Sequence, residues 1–193
     1  MVDKYPNFNE LRKLEREGHD FAIVLSRRYG SDTAVIAPHG GAIEHGTSEI
    51  AKAIAGDTYH LYCFEGRKNK TNRNLHITSI NFDEPQAVAM VAECSQVVAV
   101  HGLAGHTEEV EVSGKDVELR GRIHASLEKA GFASRIVTSG PYAAANAHNI
   151  CNRGRAGKGA QLEITCGLRD RLRAEPKLLE DFAEAVRQAI KRK

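Results

Sequence analysis

Three histidine and glutamate positions stand out for the chemistry they could do. His39 follows a short apolar run, Ala34-Val35-Ile36-Ala37, closed by Pro38, and Glu44 lies five residues beyond it across Gly40 and Gly41. His101 follows a second apolar run, Val97-Val98-Ala99-Val100, and again precedes a glycine. Two imidazoles and a carboxylate, with a fourth position open to water, form a common catalytic zinc set. Such a metal lowers the pKa of its water and polarises a carbonyl. Glu163, between Leu162 and Ile164, is the candidate for the separate carboxylate that takes the water's proton. Each group also has a plainer reading: a glycine-rich turn, a strand-end histidine bonded to backbone, and a glutamate paired with Arg169 or Arg153.

The spacing constrains the local structure. On a continuous helix, residues five apart lie roughly 140° around the axis and cannot share a metal. His39 and Glu44 therefore need a loop, and the two glycines permit the turn. His39 is expected at the exit of a strand over 33–37, and Thr47 as the N-cap of the helix that follows.

The remaining elements must bring these groups together. Strands are expected over 20–25, 59–64, 75–79, 97–100, 110–112, 132–137 and 160–165. Helices are expected over 9–17, 47–55, 85–94, 115–130 (with Val117, Ile123 and Leu127 inward) and 176–191, with helical turns near 143–150 and 168–172. Alternating strands and helices argue for an α/β class: a single domain over 1–193, with a mixed, mostly parallel sheet sandwiched by helices. In such sheets ligands gather at the carboxyl ends of the strands, where His39, His101 and Glu163 fall. Other histidines compete. His45, His106 and His148 lie in loops that reach toward such a site, His76 reads as a satisfied core histidine, and His19, His60 and His124 read as structural or exposed.

Composition sets bounds. A chain of 193 residues with formal net charge +2 has room for a core and no global pull toward nucleic acid. No apolar stretch approaches the length of a membrane span, and the first residues do not resemble a signal peptide. The four cysteines lack paired metal spacing, and Cys63 and Cys94 read as buried thiols. Synthesis in a reducing cytoplasm is the expectation, with release by host lysis if the chain is phage-encoded. Positive charge gathers in two loops: Arg67, Lys68, Lys70 and Arg73, and then Arg153, Arg155 and Lys158. If both border one cleft they favour a polyanion, and Arg73 and Arg153 are the candidates to bind substrate carboxylates or steady an oxyanion.

Five blocks carry a resemblance in order along most of the chain. They are Ala37-Pro-His-Gly-Gly-Ala-Ile-Glu-His-Gly-Thr-Ser-Glu-Ile-Ala51, Phe64-Glu-Gly66, Leu75-His-Ile-Thr-Ser79, Val100-His-Gly102 and Gln161-Leu-Glu-Ile164. Together they resemble the phage-type poly-γ-glutamate hydrolases, zinc peptidases related in fold to zinc carboxypeptidases and aspartoacylase-type amidohydrolases. The resemblance implies zinc (Zn2+) held by His39, Glu44 and His101, Glu163 as general base, and attack of a zinc-bound water on a γ-glutamyl amide of poly-γ-glutamate. One departure is the His–Glu spacing, which is three in zinc carboxypeptidases and five here. Two other readings are carried alongside. One is a zinc amidase or peptidase acting on small N-acyl amino acids or peptides, and the other a non-catalytic polyanion-binding module.

Overall fold

The structure, a computed structural model, describes residues 3–191. A seven-stranded sheet forms its centre. The strands are β1 (Phe21–Ser26), β2 (Thr33–Gly41), β3 (His60–Gly66), β4 (Gln96–Leu103), β5 (Val110–Ser113), β6 (Ser134–Ile136) and β7 (Ala160–Thr165), in the order β1-β3-β2-β4-β7-β5-β6. The central β3-β2-β4-β7 block is parallel, while β1 on β3 and β5 on β7 run antiparallel. The mixed, mostly parallel sheet expected from the sequence is present.

Helices α1 (Phe8–Leu11), α2 (Thr47–Ala55), α3 (Pro85–Glu93), α4 (Val117–Lys129), α5 (Cys166–Ala174) and α6 (Pro176–Ile190) complete the fold. Alternation along the strands divides the core in two, because successive side chains leave opposite faces of a sheet. Val35, Leu61, Val98, Val100, Leu162 and Ile164 pack with Ile50 of α2, Leu119 of α4 and Phe182 of α6. Ile36, Tyr62, Phe64, Val97 and Ala99 face the other way and pack with Phe8 of α1, Met90 of α3 and Phe82 in the loop before α3. Burial of these apolar runs on both faces is what a parallel central block requires.

Several expectations need correction. The helix expected over 9–17 is one turn, and Leu14 beyond it lies exposed. Thr47 is not the cap of α2 but its first residue. Gly46 occupies the cap position with φ 91°, and the Thr47 hydroxyl donates back to the carbonyls of His39 and Glu44. Val117 is exposed, and Leu119 takes the inward place on α4. Residues 75–79 form no strand. A short 3-10 turn over Asn72–Leu75 leads into an irregular segment held by side chains and single backbone bonds.

Candidate metal centre

Two registers aim the site. On a regular strand His39 would share the face of Val35 and Ala37. The β2–β3 pairing slips between Ala37 and Gly40, however, with Pro38 and His39 on β2 opposite Phe64 alone on β3. One extra residue reverses the alternation. His39 therefore points to the opposite face, where its ring meets Phe82 edge-on. β2 also runs on through Gly41, so His39 sits within the strand rather than at its exit. The second register is that of β4 on β7, which pairs His101 with Glu163 directly.

His39, Glu44 and His101 converge as the sequence suggests. One ligand atom from each lies within 4.8 Å of the others, and all three residues are buried. His39 Nδ1 is 3.0 Å from His101 Nδ1 and 3.4 Å from Glu44 Oε1. His39 Nε2 faces the carbonyl of Ile77 at 2.8 Å, and a carbonyl only accepts, so Nε2 carries the proton and Nδ1 is the free lone pair of the neutral ring. Glu44 is oriented by the N–H of Gly102, which donates to its Oε2 at 2.8 Å. Lone pairs brought this close repel one another unless a cation or a proton lies between them. Imidazole and carboxylate together suit a borderline divalent ion such as zinc.

The electrostatics agree with a site that keeps Glu44 and His101 unprotonated. Burial pushes the Glu44 carboxyl up, but the facing His39 and His101 and the Gly102 N–H prevail and hold it down at about 2. Burial pushes His101 down to about 3, and competition with the neighbouring His39 imidazole adds to this. Glu163 is raised well above the ordinary carboxylate range, first by burial and then by the negative charges of Glu44 and Glu111. Its side chain is bonded to Gln161, whose amide donates to Oε1 at 2.9 Å, and Gln161 is held in turn by Asn149.

The three candidate ligands and Glu163 line an open cleft of about 910 Å³, along with Arg73, His76, His45 and His106. Arg73 Nη1 lies 3.9 Å from Glu44 Oε1 and half of the side chain is exposed. Arg153 is placed elsewhere. It donates to the carbonyl of Phe82 at 3.0 Å and does not line the cleft. The basic loops are mostly spoken for: Arg67 pairs with Glu65, Lys68 with Glu15, Arg155 with Asp32 and Lys158 with Asp116. His148 also stays out of the cleft lining.

Two residues have roles the sequence reading missed. His76, read as core, is half-buried at the cleft and stacks on His39 with ring centres 4.0 Å apart. Its signal was membership of the Leu75–Ser79 block. Arg169, considered as a partner for Glu163, instead donates to three carbonyls, those of Ile164, His45 and Leu103, and so ties the Glu44 loop to the ends of β4 and β7. Nothing local in the sequence marks it.

Comparisons with known proteins follow the same line. The family model described as poly-gamma-glutamate hydrolase matches residues 5–186. UPF0714 protein YndL of Bacillus subtilis (strain 168) is 37% identical over 171 residues, covering 88% of this chain and 67% of YndL. The chain thus spans about two thirds of that relative's length. The solved structure of a bacteriophage poly-gamma-glutamate hydrolase superimposes with a TM-score of 0.92 at 33% identity, over 98% of this chain and 97% of that one. The zinc-free structure of YndL gives the same TM-score at 34% identity, over 98% of each chain. This chain belongs to the poly-gamma-glutamate hydrolase family.

Proposed function

We propose that the chain is a zinc-dependent hydrolase, one domain over 1–193, that cleaves γ-glutamyl amide bonds of poly-γ-glutamate. The observation that carries this reading is the convergence of His39, Glu44 and His101 within 4.8 Å, one strand away from Glu163 and on the floor of an open cleft. Zinc, when bound, would supply Lewis-acid polarisation of the scissile carbonyl and of a water, and its charge would favour ionised Glu163.

Glu163 takes the proton from the attacking water and passes it to the departing amine. A carboxyl raised by its surroundings suits both halves of that task, since it holds a proton long enough to deliver it. Gln161 fixes the carboxylate's orientation through its amide. Arg73, with its guanidinium at the cleft beside Glu44, steadies the developing oxyanion or a substrate carboxylate. Arg153, tied to Phe82, belongs to packing in this reading. An open cleft of about 910 Å³ suits an extended polymer better than a small N-acyl amino acid. No helix is long and apolar enough to cross a membrane among the described residues.

The test pairs metal analysis with a chain-length assay on poly-γ-glutamate. The expected result is one zinc per chain, shortening of the polymer, loss of activity on chelation and recovery with zinc. A metal-free protein that still shortens the polymer would refute the metal role. Faster turnover of short α-linked peptides than of the polymer would refute the substrate.

A further inference from the structure

One short segment holds both imidazoles from behind. His39 Nε2 donates to the carbonyl of Ile77, and His101 Nε2 lies 3.4 Å from Ser79 Oγ. His76, at the start of the same segment, stacks on the His39 ring. Yet residues 76–79 belong to no strand or helix, so no ladder of backbone bonds fixes them. The far end is tied by Ile150, whose N–H donates to the Ser79 carbonyl at 3.0 Å. The near end is tied by a residue more than seventy positions away. Asp3 Oδ1 accepts from His76 Nδ1 at 2.7 Å, and Asp3 Oδ2 accepts from the N–H of Thr78 at 2.6 Å. A single carboxylate thus grips the residues on either side of Ile77.

We propose that Asp3 is a positioning residue of the metal centre, acting through His76 and Thr78 on the Ile77 carbonyl and so on His39. The proposal rests on the zinc reading above. The bond from His39 Nε2–H to Ile77 fixes both the tautomer and the ring orientation that leave Nδ1 for the metal. Outer partners of this kind tune metal affinity strongly. A carboxylate is the right group for the clamp, because it accepts two bonds at once and its charge strengthens both. Asp3 is not needed merely to dock its own part of the chain. Phe8 N–H bonds Asp83 at 2.6 Å, Lys68 Nζ bonds Glu15 at 2.7 Å, and Tyr5, Phe8 and Leu11 are buried in the core, which anchor that segment independently.

The test measures zinc affinity by competition with a chromophoric chelator, a readout independent of turnover. Asp3→Ala is expected to weaken zinc binding on the order of 10-fold. Asp3→Asn is expected to weaken it less, since the amide keeps an acceptor for Thr78 but loses the one His76 requires. Asp83→Ala, which loosens docking without touching the clamp, is expected to lower the melting temperature and leave zinc affinity at the parental value. Parental zinc affinity in both Asp3 variants overturns the proposal, as does an equal loss in Asp83→Ala. If the Asp3 variants do not fold, nuclear magnetic resonance of the parent decides. His76 is expected to carry its proton on Nδ1, with the Thr78 amide protected from exchange. Free exchange of that amide overturns the clamp. A parent that binds no zinc refutes the underlying reading, whereas a zinc-binding parent with indifferent Asp3 variants refutes the clamp alone.

Discussion

His101 and Glu163 are cross-strand neighbours, paired by the parallel register of β4 on β7 and set on the same face of the sheet. The candidate ligand and the candidate base therefore cannot drift apart without unzipping two central strands. This rigidity makes the site testable by substitutions that leave the sheet intact.

Glu163→Gln is expected to fold, to bind zinc like the parent and to lose about 10²–10⁴ of kcat, the span of general-base contributions. The raised pKa adds a second expectation. In the metal-free protein the acid form of Glu163 is favoured by the fold, so its stabilising effect is present below the ordinary 4.5 and is lost as pH rises through its folded value. Removing the charge should make the metal-free variant melt higher than the parent at neutral pH. Full turnover in this variant would remove Glu163 from the mechanism.

The histidines set the opposite pH slope. His101 is pushed down to about 3 and His76 to about 4, each first by burial and then by competition with the neighbouring His39 imidazole, against 6.5 for an ordinary imidazole. Below 6.5 the unfolded chain binds more protons than the folded one, so stability of the metal-free protein falls as pH drops from there. Glu44, held at about 2, adds a loss of the same sign below 4.5. Denaturant midpoints of the metal-free protein, followed from neutral pH downward, should show this decline. His101→Gln should flatten it.

Arg73 and Arg153 should separate cleanly. Arg73→Ala is expected to keep parental stability and to lose about 10²–10³ in kcat/KM, as removal of an oxyanion donor does. Arg73→Lys should rescue little, because an ammonium lacks the planar fork. Arg153→Ala is expected to leave turnover unchanged and to cost about 1 kcal/mol of stability for the lost bond to Phe82. Steady-state kinetics and thermal melts on the same three proteins check all of this.

Gly102 is a packing constraint on the candidate metal site. A Cβ there would lie 2.9 Å from Glu44 Cβ and 2.8 Å from Arg169 Cζ. Gly102→Ala must push Glu44 from its place, where it also accepts the Gly102 N–H. We expect about 1–3 kcal/mol of destabilisation from the overpacking. A marked loss of zinc affinity is expected beside it, read by calorimetry. Undiminished zinc binding would show that Glu44 relaxes without cost.

Much of this protein is written in its residue types and their periods. Apolar runs announced the buried strands, because a strand covered on both faces excludes polar side chains. The types of His39, Glu44, His101 and Glu163 pointed to a candidate metal site and a candidate base, and the family likeness pointed to the chemistry. Tertiary structure alone decided where those groups point. The extra residue in β2 turns His39 to the face of His101, and that bulge exists only in pairing with β3. The adjacency of His101 and Glu163 is a register between strands some sixty residues apart. Arg73 reaches the cleft while Arg153 does not, and residues 76–79 serve both histidines without being a strand. Local periodicity reports which side chains are buried. Register, bulges and loop anchoring are set by distant partners, which no single stretch of sequence contains.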